Sequence, residues 1–347
     1  MKELDEAFDL LHREARGAPA DLADARQRLL DEIDGIKPRP ARRRWMIPVA
    51  AAAAVAVAAT VVTVRIDWSD KPELPLAADV LNKAADIAAV GAVDIPVGPG
   101  QYRYIVSQGS SVITVPGRSG TTGRADYPYL RQQRIERWIP ADPNGLLQER
   151  RTAIGKPVYI GTEPEPATGP TQVKKLTTTE DGIRQRTCTS VEELSGYFGC
   201  DAPNTSAFYT DTLTGDPDLL YDKLTTLTMK NGAKPTPSTM FGTGVDILSR
   251  GLMPAQLRAK WYRVLAKIPG VSVIDRRTIP DGRTGIALGL DDERGRRELI
   301  IDPATGEFIG EHTVAGPKPE NPLIKPGTVM NTSAITTSVV NGLGLTS

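Results

Sequence analysis

From the N-terminus, apolar positions recur at helical spacing. Leu4, Phe8, Leu11 and Ala15 fall at i, i+4, i+7 and i+11, and after Gly17-Ala18-Pro19 a second stripe runs through Leu22, Ala25, Leu29 and Ile33. Isolated helices shorter than about 12–15 residues are marginal in water, so two short amphipathic helices do not bury both stripes alone. The arm 1–44 therefore packs on itself, lies on a membrane, or is completed by a partner that contacts Leu4, Phe8, Leu11, Leu22, Leu29 and Ile33.

The periodicity then stops. Ile47 to Val64 is an 18-residue run with no charge and no glycine. As a helix it spans about 27 Å, close to the ~30 Å hydrocarbon core of a bilayer. Arg42, Arg43 and Arg44 precede it together with Lys37 and Arg39, whereas Arg65 and Lys71 after it are mixed with Asp67, Asp70 and Glu73. That asymmetry is a topology signal placing the N-terminus in the cytoplasm, and Trp45 and Trp68 bracket the run as interfacial aromatics do. Two rivals stay open. One is a cleaved export signal, suggested by Arg43-Arg44 and Ala56-Val57-Ala58 but opposed by the long patterned leader. The other is a buried Ala/Val core helix, opposed by the arginine cluster and the length.

Beyond a polar spacer, 67–75, the pattern alternates between helix and strand periods. Ala77 to Val90 carries a helical stripe through Val80, Leu81, Ala84, Ile87 and Ala88. Gln101 to Ser107 alternates as a strand, and Ser107 to Gly123, rich in Gly, Ser and Thr, reads as a long flexible loop or loose hairpin. Tyr129 to Pro140 and Leu146 to Ile154 flank Asp142-Pro143-Asn144-Gly145, the chemistry of a hairpin turn. Three helices follow, over Asp218 to Thr228, a turn or two at Phe241 to Ser249, and Ala255 to Lys267, where Leu257, Trp261, Val264, Leu265 and Ile268 point inward. Val271 to Ile274, Thr284 to Leu290, Arg296 to Ile301 and Phe308 to Val314, separated by tight turns, predict an antiparallel meander. From Gly316 the chain reads as a Pro-rich tail, with Ile335 to Val340 as an added edge strand. The expected organisation is a cytoplasmic arm (1–44), a transmembrane helix (45–66), a linker (67–75), an extracytoplasmic α+β domain (76–315) and a tail (316–347).

Composition changes this picture little. The chain holds 42 Lys+Arg against 42 Asp+Glu, so no basic excess points to direct nucleic-acid binding. Two cysteines, Cys188 and Cys200, lie on the predicted exterior side, where such a pair reads as a disulfide closing a small loop, worth about 3 kcal/mol by loop entropy.

Candidate chemistry is sparse. His12 and His312 fall on opposite predicted sides of the membrane, and His312 reads as a surface strand histidine because no nucleophile motif accompanies it. The arm lacks a His and Cys pair for zinc. Asp291-Asp292-Glu293 reads as a solvated turn without calcium-loop spacing, and Gly242-Thr243-Gly244 lacks the strand and third glycine of a dinucleotide loop. Arg131, Arg134, Arg137, Arg150 and Arg151 read as a solvated, Arg-rich sheet face. Neither an enzyme nor a cofactor or metal is expected.

The chain resembles a family of actinobacterial single-pass membrane proteins often encoded beside extracytoplasmic-function sigma factors. The residues that carry the likeness are the membrane run, Gly98-Pro99-Gly100-Gln101-Tyr102, Glu136-Arg137-Trp138-Ile139-Pro140-Ala141-Asp142, Ala266-Lys267-Ile268-Pro269-Gly270-Val271 and Ile300-Ile301-Asp302-Pro303-Ala304-Thr305-Gly306. The resemblance implies a regulatory or envelope role and supplies no catalytic residues. The exterior body is also similar to the half-barrel sheet with packed helices of periplasmic lipoprotein-chaperone and sigma-regulator sensor domains, an analogy of fold. The expected fold is thus α+β, one transmembrane helix followed by an extracytoplasmic domain with a curved, half-barrel-like antiparallel sheet packed by helices. The expected function is a sensor or binding domain coupled through the arm to a sigma factor or other cytoplasmic protein. The competing expectation is a membrane-tethered carrier for an apolar ligand, with an apolar cavity between the sheet and the Ala77 to Val90 and Ala255 to Lys267 helices.

Overall fold

The computed structural model describes residues 76–346 apart from 92–93, 118, 121–122, 125, 143, 188–204 and 231. The chain divides into two compact units, Met1–Asp67 and Trp68–Ser347, and the described residues belong to the second. The arm, Arg42 to Arg44, the 47–64 run and both cysteines lie outside the described residues. Among the described residues no helix is long and apolar enough to cross a membrane.

The domain is α+β, with a ten-strand antiparallel sheet and several helices. In chain order the elements are α1 (Ala77–Gly91), β1 (Tyr102–Val115), the two-residue strands β2 (Ser119–Gly120) and β3 (Gly123–Arg124), β4 (Tyr127–Pro140), β5 (Leu146–Ala153) and β6 (Val158–Tyr159). Then come α2 (Gly169–Glu180), β7 (Gly182–Thr187), a π-helical turn (Phe208–Thr212), α3 (Pro217–Lys230), α4 (Pro237–Leu248) and α5 (Ala255–Ala266). The chain closes with β8 (Ser272–Thr278), β9 (Thr284–Asp291), β10 (Gly295–Ile301), β11 (Phe308–Ala315) and β12 (Val329–Val340).

The sheet order is β7-β5-β4-β1-β12-β11-β10-β9-β8, with β6 beside β4 and β2 paired with β3 apart from the main sheet. Two sequential meanders, β1-β4-β5-β7 and β8 to β12, are therefore fused where β12 pairs with β1. This differs from the tail expected after Gly316. Val329–Val340 is an inner strand, in register with β1 from Tyr102↔Val340 to Ser111↔Asn331 and with β11 from Gly310↔Ala334 to Val314↔Val329. The expected loop from Ser107 is also absent over its first half, because β1 runs on to Val115 against β4 and ends opposite Tyr127. Polar β1 and β12 side chains look like loop in isolation. Backbone pairing on both sides of each strand overrides that weak local preference.

Alternation divides the sheet into two faces. Leu288, Leu290, Leu299 and Ile301 pack with α1, α4 and α5 in the main core, around Trp261, Tyr262, Leu265, Phe241 and Val245, all 1% exposed or less except Leu290. Leu81, Ala84, Ala85 and Ala88 give α1 a buried stripe of mostly small residues, so it lies closely along α5. On the opposite face Ala287, Ile300, Ile309 and Ala334 form one cluster and Tyr104, Val106, Trp138 and Val340 another. The helix starts follow from capping chemistry. Thr236 and Thr239 form a capping box at α4, Asp216 accepts from the Asp218 and Leu219 amides at α3, and Asp94 accepts from the Ala255 amide at α5 (2.8 Å).

Candidate functional site: an arginine-lined cleft

Between α1, the α4–α5 connection and the helix-covered face of β1 and β12 lies a cleft of about 500 Å³. Ile335 and Thr337 of β12 and Arg103 of β1 contribute its floor, sharing one face because Ile105 pairs with Thr337 and Ser107 with Ile335. Ile87 of α1, Leu252 and Arg258 supply one wall, and Thr305, Glu307 and Phe308 at the β10–β11 turn another. Ile95, 58% exposed, stands at the rim.

Three arginines reach the cleft in different states of engagement. Arg283 is committed, with its guanidinium 2.7 Å from Asp281 and Nη2 donating to the Ile335 carbonyl (2.7 Å). Arg103 donates to the Ile95 carbonyl (2.8 Å), and burial, opposed by the charge of Asp94, pushes its guanidinium below the usual arginine range. Arg258 is least engaged. Its Nη1 makes one long contact to the Met253 carbonyl (3.5 Å), its Nε is sealed from solvent without a partner, and no described carboxylate pairs with it. Two acids also line the cleft: Asp94, held at the α5 start, and Glu307, exposed at the turn. The arrangement offers a half-buried cation beside an apolar wall. Such an arrangement suits holding and orienting a ligand, and among the described residues lining it no nucleophile is paired with a base.

The cleft stands where the carrier expectation placed a cavity, but its lining is mixed instead of apolar. Neither Arg103, Arg258 nor Arg283 was singled out from sequence. Arginines 155 and 25 residues apart carry no motif. One signal was present: Arg258, Trp261 and Leu265 follow i, i+3, i+7 spacing, so a charge sits on the stripe that carries the core residues of α5.

The residues that sequence did single out go elsewhere. The five hairpin arginines do not form one solvated face. Strand parity sends Arg131, Arg137 and Arg151 to the helix-covered side and Arg134 and Arg150 to the other. Arg137 and Arg151 converge on Glu149 (2.9 and 2.6 Å), itself 2% exposed, and the 1% exposed Arg131 pairs with Asp181. On the other side Arg150 grips Glu136 with two bonds (2.6 and 2.8 Å) while its guanidinium lies 5.2 Å from the Trp138 ring centre, and Tyr104 donates to the same carboxylate. These are structural ion pairs, and those to Glu136 and Glu149 satisfy buried carboxylates.

His312 is buried, not at the surface: 7% exposed, with Nδ1 3.3 Å from Glu298, which Arg277 and Arg296 also approach (2.6 and 2.8 Å). The acidic trio is turn chemistry. Asp292 accepts from the Arg294 and Gly295 amides (2.8 Å each), and Glu293 pairs with exposed Lys318 (3.0 Å). Gly242 to Gly244 lie inside α4, where the Gly244 carbonyl accepts from Trp261 Nε1 (3.1 Å) and the missing side chain admits Leu265. Among the described residues no group of His, Cys, Asp and Glu is arranged to hold a metal.

No family model, curated protein or solved structure matches this chain.

Proposed function

We propose that this chain is a single-pass membrane protein whose domain beyond residue 75 is an extracytoplasmic sensor, with a curved, half-barrel-like sheet, that binds an envelope ligand in the arginine-lined cleft. The arm 1–44 then carries the response to a cytoplasmic partner, a sigma factor being the expected one. The observation supporting a binding role is the cleft itself: its volume lies within the range of small-molecule sites, and its lining sets apolar side chains beside three arginines, two acids and several hydroxyls. The membrane assignment rests on the uncharged 47–64 run behind Arg42, Arg43 and Arg44.

Topology is tested with export-dependent reporter enzymes, active when fused after Ser347 and silent when fused within the arm. An exterior body also requires Cys188 and Cys200 to resist alkylation until a reductant is added. Signalling is tested by co-purifying residues 1–44 with extracytoplasmic-function sigma factors, with Phe8→Asp and Leu29→Asp abolishing capture. An arm that can be deleted with no change in the transcriptional response removes signalling and leaves the tethered carrier, which the same cleft supports.

A further inference from the structure

We infer that the cleft takes an amphiphile with a single anionic head, a carboxylate or phosphate, seated on Arg258 with its apolar tail running toward Ile87 and Ile95. This rests on the cleft being a ligand site and adds the chemical class of the ligand.

Arg258 carries a charge that no described carboxylate pairs. A guanidinium withdrawn from water needs acceptors, and a buried donor without one is costly enough that native structures rarely keep it. Arginines of the sheet that are buried or partly buried have carboxylates: Arg137 and Arg151 share Glu149, and Arg277 and Arg296 share Glu298. Arg258 has only the distant Met253 carbonyl, with Nε turned into protein and unpaired. It lies one turn into α5, so the positive end of that helix adds to its field. An anion entering the cleft supplies the missing acceptors, and the guanidinium fork matches a carboxylate or phosphate in two bonds.

The cleft's own acids do not fill this role. Asp94 is held by the Ala255 amide and faces Arg103, while Glu307 is exposed at the turn. The apolar side is equally specific. Leu252 and Phe308 are half-buried against the core, Ile87 is half-buried, and Ile95 is 58% exposed at the rim, which gives a path for a hydrocarbon tail from the charged interior to the mouth.

The test uses the full chain in nanodiscs of zwitterionic lipid, titrated calorimetrically with decanoate, decyl phosphate, decanol and decyltrimethylammonium, with empty nanodiscs as blank. The expected result is saturable binding of both anions, weakened at least tenfold by Arg258→Gln, partly restored by Arg258→Lys, and abolished by Ile335→Trp, which fills the floor. Melting temperatures of each variant without ligand separate loss of binding from loss of fold. Decanol and the cation binding as tightly as the anions, unaffected by Arg258→Gln but blocked by Ile335→Trp, overturns the anionic head while the cleft remains a ligand site. No saturable binding of any probe, or binding indifferent to Ile335→Trp, overturns both. Doping the nanodisc with phosphatidylglycerol identifies the source. Competition with decyl phosphate supports a membrane lipid headgroup, and its absence supports a free amphiphile; either outcome upholds the anionic head.

Discussion

Gly109 on β1 lies so close to Thr332 on β12 that a methyl group added to the glycine would sit 1.8 Å from the threonine carbonyl oxygen. This contact is at the seam where the two meanders are fused, between the pairs Gln108↔Ala334 and Ser110↔Thr332. The obstacle is backbone, which cannot rotate away as a side chain can. Gly109→Ala is therefore expected to force the strands apart and destabilise the domain by about 1–3 kcal/mol. The measurement is urea unfolding, with the change confined to the midpoint and the slope preserved. An unchanged midpoint would show that the seam tolerates separation.

Glu298 is fully buried on β10 among His312, Arg277 and Arg296. Burial alone pushes its carboxyl up, but contact with His312 and the neighbouring positive charges outweigh it and hold the group below the usual carboxylate range. Because the folded value lies below the unfolded one, about 4.3, this stabilisation is complete above the unfolded value and is lost as pH falls through the folded one. Glu298→Gln leaves cations without their counter-charge. The expected cost at neutral pH is about 3 kcal/mol, at the low end for a buried pair because Arg277 and Arg296 keep 28% and 29% exposure and can be hydrated. Unfolding curves at a series of pH values should show the gap between wild type and E298Q narrowing below pH ~4. A gap constant with pH would contradict the ion cluster.

Trp138, wholly buried, donates through Nε1 to the Leu345 carbonyl (2.5 Å), and its ring lies 5.1 Å from that of Tyr104. The last residues of the described chain thus cover an aromatic pair on a face where strands, not helices, provide most of the packing. Removing 342–347 uncovers the indole and takes away its acceptor, at an expected cost of about 1.5–3 kcal/mol. Iodide quenching of tryptophan emission should increase together with a lower melting temperature. An unchanged quenching profile would mean that the strand side chains alone shield Trp138.

Local pattern made much of this fold legible, and for identifiable reasons. The stripe Leu81, Ala84, Ala88 yields α1, the run Leu257, Trp261, Leu265 yields α5, and Asp142 with Gly145 forms the turn between β4 and β5, with the Gly145 amide donating to the Asp142 carbonyl. β8 to β11 were equally visible as a meander, because each pairs with its sequence neighbour across a short turn. The uncharged 47–64 run and its arginine flank likewise stand on sequence alone.

What only tertiary structure decided is everything that joins residues distant in the chain. Val329–Val340 reads as polar tail until β1 and β11 satisfy its backbone from both sides, and Gln108 to Val115 reads as loop until β4 pairs with it. Strand parity, set by register, separated Arg134 and Arg150, which reach Glu136, from Arg137 and Arg151, which reach Glu149, and from Arg131, which pairs with Asp181. Burial of His312 required Glu298 beside it on the next strand. The cleft arises in the same way, since Arg103, Arg258 and Ile335 are brought together by a sheet and a helix layer. Periodicity reports which side of an element is apolar, whereas the partner facing that side is set by long-range pairing and packing energy, which no local window contains.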